Sequence, residues 1–179
     1  MKGSLLGDAM MAVRIAKILL ILSAGVFCLL VGYNNIADYG SNFMFVQHVL
    51  TMDTTFPDNA VRASRALSNP QLHHLFYWLI IATEIAIGLI CVAGALRLVP
   101  VIRAPADAFN SAKTIAITGL ATGFGFWFMA FIVVGGEWFQ MWQSQIWNGQ
   151  EPAFRFIGSI GLIMIFVAMD DRELSATPR

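Results

Sequence analysis

Hydrophobic positions along this chain gather into four long runs, and polar residues and turn formers return only between them. The apolar cores are Ile18 to Tyr33, Leu75 to Leu96, Ile115 to Gly136 and Phe154 to Met169. A helix rises ~1.5 Å per residue and a bilayer's hydrocarbon core is ~30 Å thick, so runs of about 20 residues read as membrane-spanning helices. With their flanks, the predicted spans cover about 14–33, 71–96, 113–136 and 152–169, leaving loops over 34–70 and 137–151. The fourth apolar run holds only 16 residues and includes Arg155. Pro152, a favoured first-turn residue, lengthens it. Arg14 and Lys17 precede the first run, where long stems could snorkel to the headgroups.

The first loop has a pattern of its own. Phe43, Val46, Val49 and Leu50 recur at helical spacing over Asn42 to Met52, which predicts a short amphipathic helix lying in the interface. A second short helix is expected from Asp58, an N-cap residue type, to about Leu67, with Arg62 and Arg65 on one side. Asn69 followed by Pro70 then caps the second span. The expected fold is an all-α membrane protein, a bundle of four transmembrane helices with a structured periplasmic cap of short helices between the first two. Residues 1–179 form one integral membrane domain on this reading.

Composition agrees with this pattern. Hydrophobic residues make up 58% of the chain and charged residues 12%, with a mean hydropathy of +0.68, well above soluble globular usage. The formal net charge of zero gives no bulk attraction to nucleic acid, so none is expected as a partner. Four spans put both termini on one side. Lys2, Arg14, Lys17, Arg97, Arg103, Lys113, Arg172 and Arg179 fall on that side, and Arg62, Arg65 and Arg155 on the other. The positive-inside rule then predicts cytoplasmic termini. The basic start and first apolar run read as a retained anchor, because no small-residue cleavage site follows them. Cys28 and Cys91 sit towards opposite ends of their helices, ~15 Å apart in depth, so no disulfide is expected between them.

Small residues offer close helix contacts. Gly119 and Gly123 form a GxxxG spacing, and Ala24, Cys28 and Gly32 repeat every four residues. Trp138, Phe139, Trp142 and Trp147 in the second loop read as an interfacial aromatic belt, ahead of a ligand-stacking platform.

Glu84 carries the main chemical question. It lies in the otherwise uncharged second run, and a carboxylate at the centre of a span costs at least ~2.5 kcal/mol on insertion scales. Helical phase puts His73, Tyr77 and Glu84 on one face, with His73 and Glu84 ~16 Å apart along the axis. That column is a candidate intramembrane polar site. A buried hydrogen bond to Ser23, Thr118, Thr122 or Ser159 is the structural expectation for Glu84, and a proton or cation site is the functional one. On the outer side His48, Asp53, Arg62, Arg65 and His74 are candidates for recognition. His48, His73 and His74 are weak metal candidates and could ligate haem only by facing one another across the cap. No cofactor is expected, with haem or metal a minor alternative.

Several stretches carry a family likeness. The cap beginning Tyr33-Asn34-Asn35, the stretch from Phe45 to Pro57, and Trp147-Asn148-Gly149-Gln150 with Ala153-Phe154-Arg155 resemble a bacterial family of predicted small integral membrane proteins of unknown function. The resemblance covers nearly the whole chain and implies four spans in a bacterial inner membrane, with no activity attached. Two functional readings follow. The first is a non-catalytic accessory or assembly subunit that binds a membrane-protein partner or its own copies. The second is a small transporter or proton-linked protein using Glu84. A haem- or metal-dependent redox protein ranks third.

Overall fold

The computed structural model describes residues 2–174, and every regular element among them is helical. Arg179, counted for orientation, lies outside the described residues, as does the side chain of Lys2. The first span lies in α1 (Lys2–Ala37), and α2 (Tyr39–Thr51) and α3 (Arg62–Arg65) follow before α4 (Pro70–Leu98). The third span is composite. It is built from α5 (Ala106–Ala112), α6 (Thr114–Trp127) and a π-helix over Phe128–Trp138, and α7 (Gln150–Ala168) closes the chain. Four helical stretches, Gly7–Ala37, Pro70–Leu98, Ala106–Trp138 and Gln150–Ala168, are long and apolar enough to cross a membrane.

Residue contacts divide the chain into two compact units. Among the described residues, one comprises 2–29, 86–122 and 160–174. Here α1 and α4 touch backbone to backbone. A Cβ added to Gly88 would lie 2.9 Å from the Gly25 carbonyl oxygen, and one added to Gly25 would lie 3.0 Å from that of Gly88. Gly119 lets α6 approach Cys91 and Ile90 of α4 in the same way. Glycine serves at these crossings because dispersion contacts, not water exclusion, hold helices together where the surroundings are also apolar. Cys28 and Cys91 are both buried and no disulfide joins them.

Arg14 and Lys17 do not snorkel. They are 0% and 1% exposed, and their charges are met from within the unit. Arg14 donates to the carbonyls of Ile102 (2.9 Å) and Ala104 (2.7 Å), with its guanidinium over the Phe109 ring. Lys17 reaches Asp171 at 2.7 Å, and Lys113 of the third span pairs with the same carboxylate oxygen. Both ammoniums also donate to the Met169 carbonyl, just past the end of α7, where the helix dipole is negative. The carbonyl and amide of Asp171 are themselves tied to Asn110.

The other unit comprises residues 30–85 and 123–159. The predicted helix over Asn42 to Met52 is present as α2, but its apolar face does not lie on lipid. Val46, Val49 and Leu50 pack with Met52, Tyr77, Ile81, Phe139 and Met141 in the unit's own core. Met52 ends the helix in the left-handed region, at φ 52°. The second short helix is reduced from the expected Asp58–Leu67 to the single turn of α3. Asn59, not Asp58, supports the turn that leads into it: its side-chain oxygen accepts from the amides of Val61 and Arg62. Ala66 is already extended, and the Leu67 amide bonds the Leu50 carbonyl instead of continuing the helix. At the start of α4, the Asn69 side chain accepts from the Gln71 amide ahead of Pro70, the cap that the sequence implies.

Candidate functional site

The end of α1 sets up the site. The helix runs on to Ala37, so Asn35 lies in its last turn, where backbone carbonyls have no partner within the helix. Tyr77 of α4 donates its hydroxyl to the Asn35 carbonyl at 3.2 Å, inside the protein. The Asn35 side chain then links two other elements. Its amide nitrogen donates to Glu84 Oε2 at 2.8 Å, and its oxygen accepts from Asn42 Nδ2 of α2 at 2.6 Å. Asn42 is exposed, Asn35 is buried, and Glu84 is 2% exposed. A polar chain thus runs inward from the surface to the carboxyl group. Glu84 sits level with the end of α1, beneath α2.

These groups line a cavity of about 290 Å³. Phe45, Trp127, Phe131 and Phe156 supply aromatic wall, and Gly149, Pro152 and Ala153 bring in the first turn of α7. Trp127 packs against Phe131 and Phe156, with ring centroids at 4.8 and 4.7 Å. Its indole N–H is buried and finds no hydrogen-bond partner. Gly149 belongs to the design, since a Cβ there would lie 2.6 Å from the Phe45 ring.

A second cavity, of about 270 Å³, adjoins the first through the shared walls Phe45, Val46, Ile80 and Phe131. It is apolar and bounded by α2, α4, α6 and the π-helix. In the π-helix the bond from the Phe139 amide to the Val134 carbonyl spans five residues, widening the turn. Such segments concentrate at functional sites. Phe131, on the π-helix, serves both cavities.

The sequence candidates divide. Glu84 and Tyr77 meet at the first cavity, but His73 does not join them: its Nε2 donates to the Leu67 carbonyl at 2.7 Å. Asn35 takes the place expected for Ser23, Thr118, Thr122 or Ser159 beside Glu84. Thr118 and Thr122 instead bond carbonyls of their own helix. Asn35, Asn42 and Trp127 were not singled out by sequence reasoning. The double Asn at 34–35 at the end of an apolar run was the available signal for the first of them.

On the outer candidates, His48 pairs with Asp53 at 2.8 Å and stacks on Trp147. His74 shares a hydrogen bond with Tyr39 at 2.8 Å and stacks on Phe43. Burial holds the Tyr39 phenol above its ordinary pKa. Arg65 donates to the carbonyls of Glu137 and Trp138 and lies over the Trp138 ring, whereas Arg62 is exposed. The three histidines therefore serve three different partners. Among the described residues no group of three or more His, Cys, Asp or Glu side chains comes together as a metal site.

A family model described as a predicted small integral membrane protein (DUF2165) matches residues 13–170. No curated protein and no solved structure matches the chain.

Proposed function

The chain belongs to this family of small integral membrane proteins, and we propose that it is a non-catalytic binding protein that holds a small hydrogen-bonding molecule at Glu84. The observation that carries this reading is the buried carboxyl group of Glu84 in the wall of a cavity otherwise lined largely by aromatic and apolar side chains. Pockets that bind small molecules are mostly apolar with a few placed polar groups, and this one has that make-up. Asn35 fixes the carboxyl group through Oε2. The exposed Asn42 puts the polar chain in reach of water, so exchange of a proton or solute at Glu84 belongs to the same reading.

An accessory or assembly role draws less support. Two of the small-residue sites that could receive a partner are filled within the chain, Gly119 by Cys91 and Gly32 by Ile85. For location we propose a bacterial inner membrane with cytoplasmic termini, on the strength of eight basic residues against three.

The test is native mass spectrometry of protein released from membranes in mild detergent. The wild type is expected to carry a small-molecule adduct that Glu84→Gln, equally helical by circular dichroism, has lost. Identical spectra for the two proteins would sink the reading.

A further inference from the structure

The two adjoining cavities differ in chemistry and meet at a common wall, which constrains the molecule that fills them. The first takes a group that gives a hydrogen bond to Glu84 between aromatic faces. The second offers no such polar groups, and its rim is open. Phe76, Leu79 and Val134 are 40%, 53% and 42% exposed, on helices long and apolar enough to span a membrane. An opening of that kind faces lipid.

Resting on the binding function proposed above, we infer that the ligand is a lipid with a planar phenol or hydroquinone head and a hydrocarbon tail. The ring lies in the Glu84 cavity and the tail in the apolar groove. A ring hydroxyl donates to Glu84, and the ring faces lie against aromatic side chains, which favour offset or edge-on packing. An apolar cavity of about 150 Å³ accommodates benzene, so 290 Å³ leaves room for a substituted ring. The cavities share Phe45, Val46, Ile80 and Phe131 as walls, so a chain attached to the ring reaches the groove by displacing a side chain such as Ile80 or Phe131. Entry from the bilayer follows from the exposed rim. The inference concerns binding alone, with no electron transfer.

The experiment titrates the purified protein in nanodiscs, read by tryptophan quenching, with two probes. One is a methyl-substituted 1,4-hydroquinone, and the other is the same ring bearing a decyl chain, each kept in the reduced form. Glu84→Gln is expected to weaken both about tenfold, the scale of a hydrogen bond to a charged group. Ala130→Leu intrudes only on the groove. It is expected to weaken the decyl compound about tenfold, equivalent to unburying about two methylenes, and to leave the tail-less ring unchanged, which also shows that the variant is folded. If Ala130→Leu spares the decyl compound, or if dodecylammonium binds in a Glu84-dependent way and the ring compounds do not, the phenolic-lipid inference is overturned while the Glu84 site stands. If no probe binds in a Glu84-dependent way and the native spectra also show no adduct, both fall.

Discussion

Replacing Asp171 with alanine removes the one carboxylate that serves two buried ammoniums. Its Oδ2 lies 2.7 Å from Lys17 Nζ and also contacts Lys113 Nζ, and all three side chains are no more than 3% exposed. Removing one partner of a buried ion pair costs about 3–5 kcal/mol, because the remaining charge has lost its hydration without compensation. Two lysines share the loss here, but the Met169 carbonyl still accepts from both, and one ammonium can shed its proton. These offsets keep the expected cost near ~4 kcal/mol, within that range. For a chain of this size each kcal/mol lowers the melting temperature by about 2–4 °C, so Asp171→Ala should melt about 8–16 °C lower. The exposed pair Glu151–Arg155 is the internal control, and Glu151→Ala should move the midpoint by about 1 °C. Circular dichroism melts in one detergent compare the three proteins. Adding Lys17→Met to Asp171→Ala should recover part of the loss, since an apolar side chain needs no counter-charge. If Asp171→Ala melts with Glu151→Ala, the burial argument is refuted.

Two other substitutions test the packing. Asn35→Ala removes the donor to Glu84, the acceptor for Asn42 and the link between α1 and α2, and should cost about 1–3 kcal/mol in the same melts; it should also raise exchange of the α2 amides with deuterium. Gly88→Val places methyl groups against the Gly25 carbonyl and Leu29, and overpacking of this kind should cost about 1–3 kcal/mol, read as a lower midpoint and as weaker protection of α1 amides.

The four spans were legible because apolar length is a direct consequence of bilayer thickness, and the α4 cap because Asn69-Pro70 acts through local geometry alone. Long-range partnerships were harder to read. Arg14 and Lys17 looked like lipid-facing flanks, yet their partners lie far along the chain at Ile102, Ala104, Met169 and Asp171. Helix phase put Tyr77 on the Glu84 face, and both line one cavity, but phase cannot say that α1 ends level with Glu84 and delivers Asn35 to it. His73 shares the phase and was captured by Leu67 because the chain before α4 turns back along α2. The π-helix left no signal, since its apolar residues serve an α-helix equally well and the widened turn comes from packing.

The Asp171 contact also implies an order of events during synthesis. This carboxylate is 154 residues downstream of Lys17 and leaves the ribosome only after the last span has been made. Until then Lys17 and Lys113 lack the carboxylate that neutralises them in the folded chain. Their later pairing ties the segment that follows α7 to the first and third spans. The polar core of this unit therefore closes only once that segment has arrived.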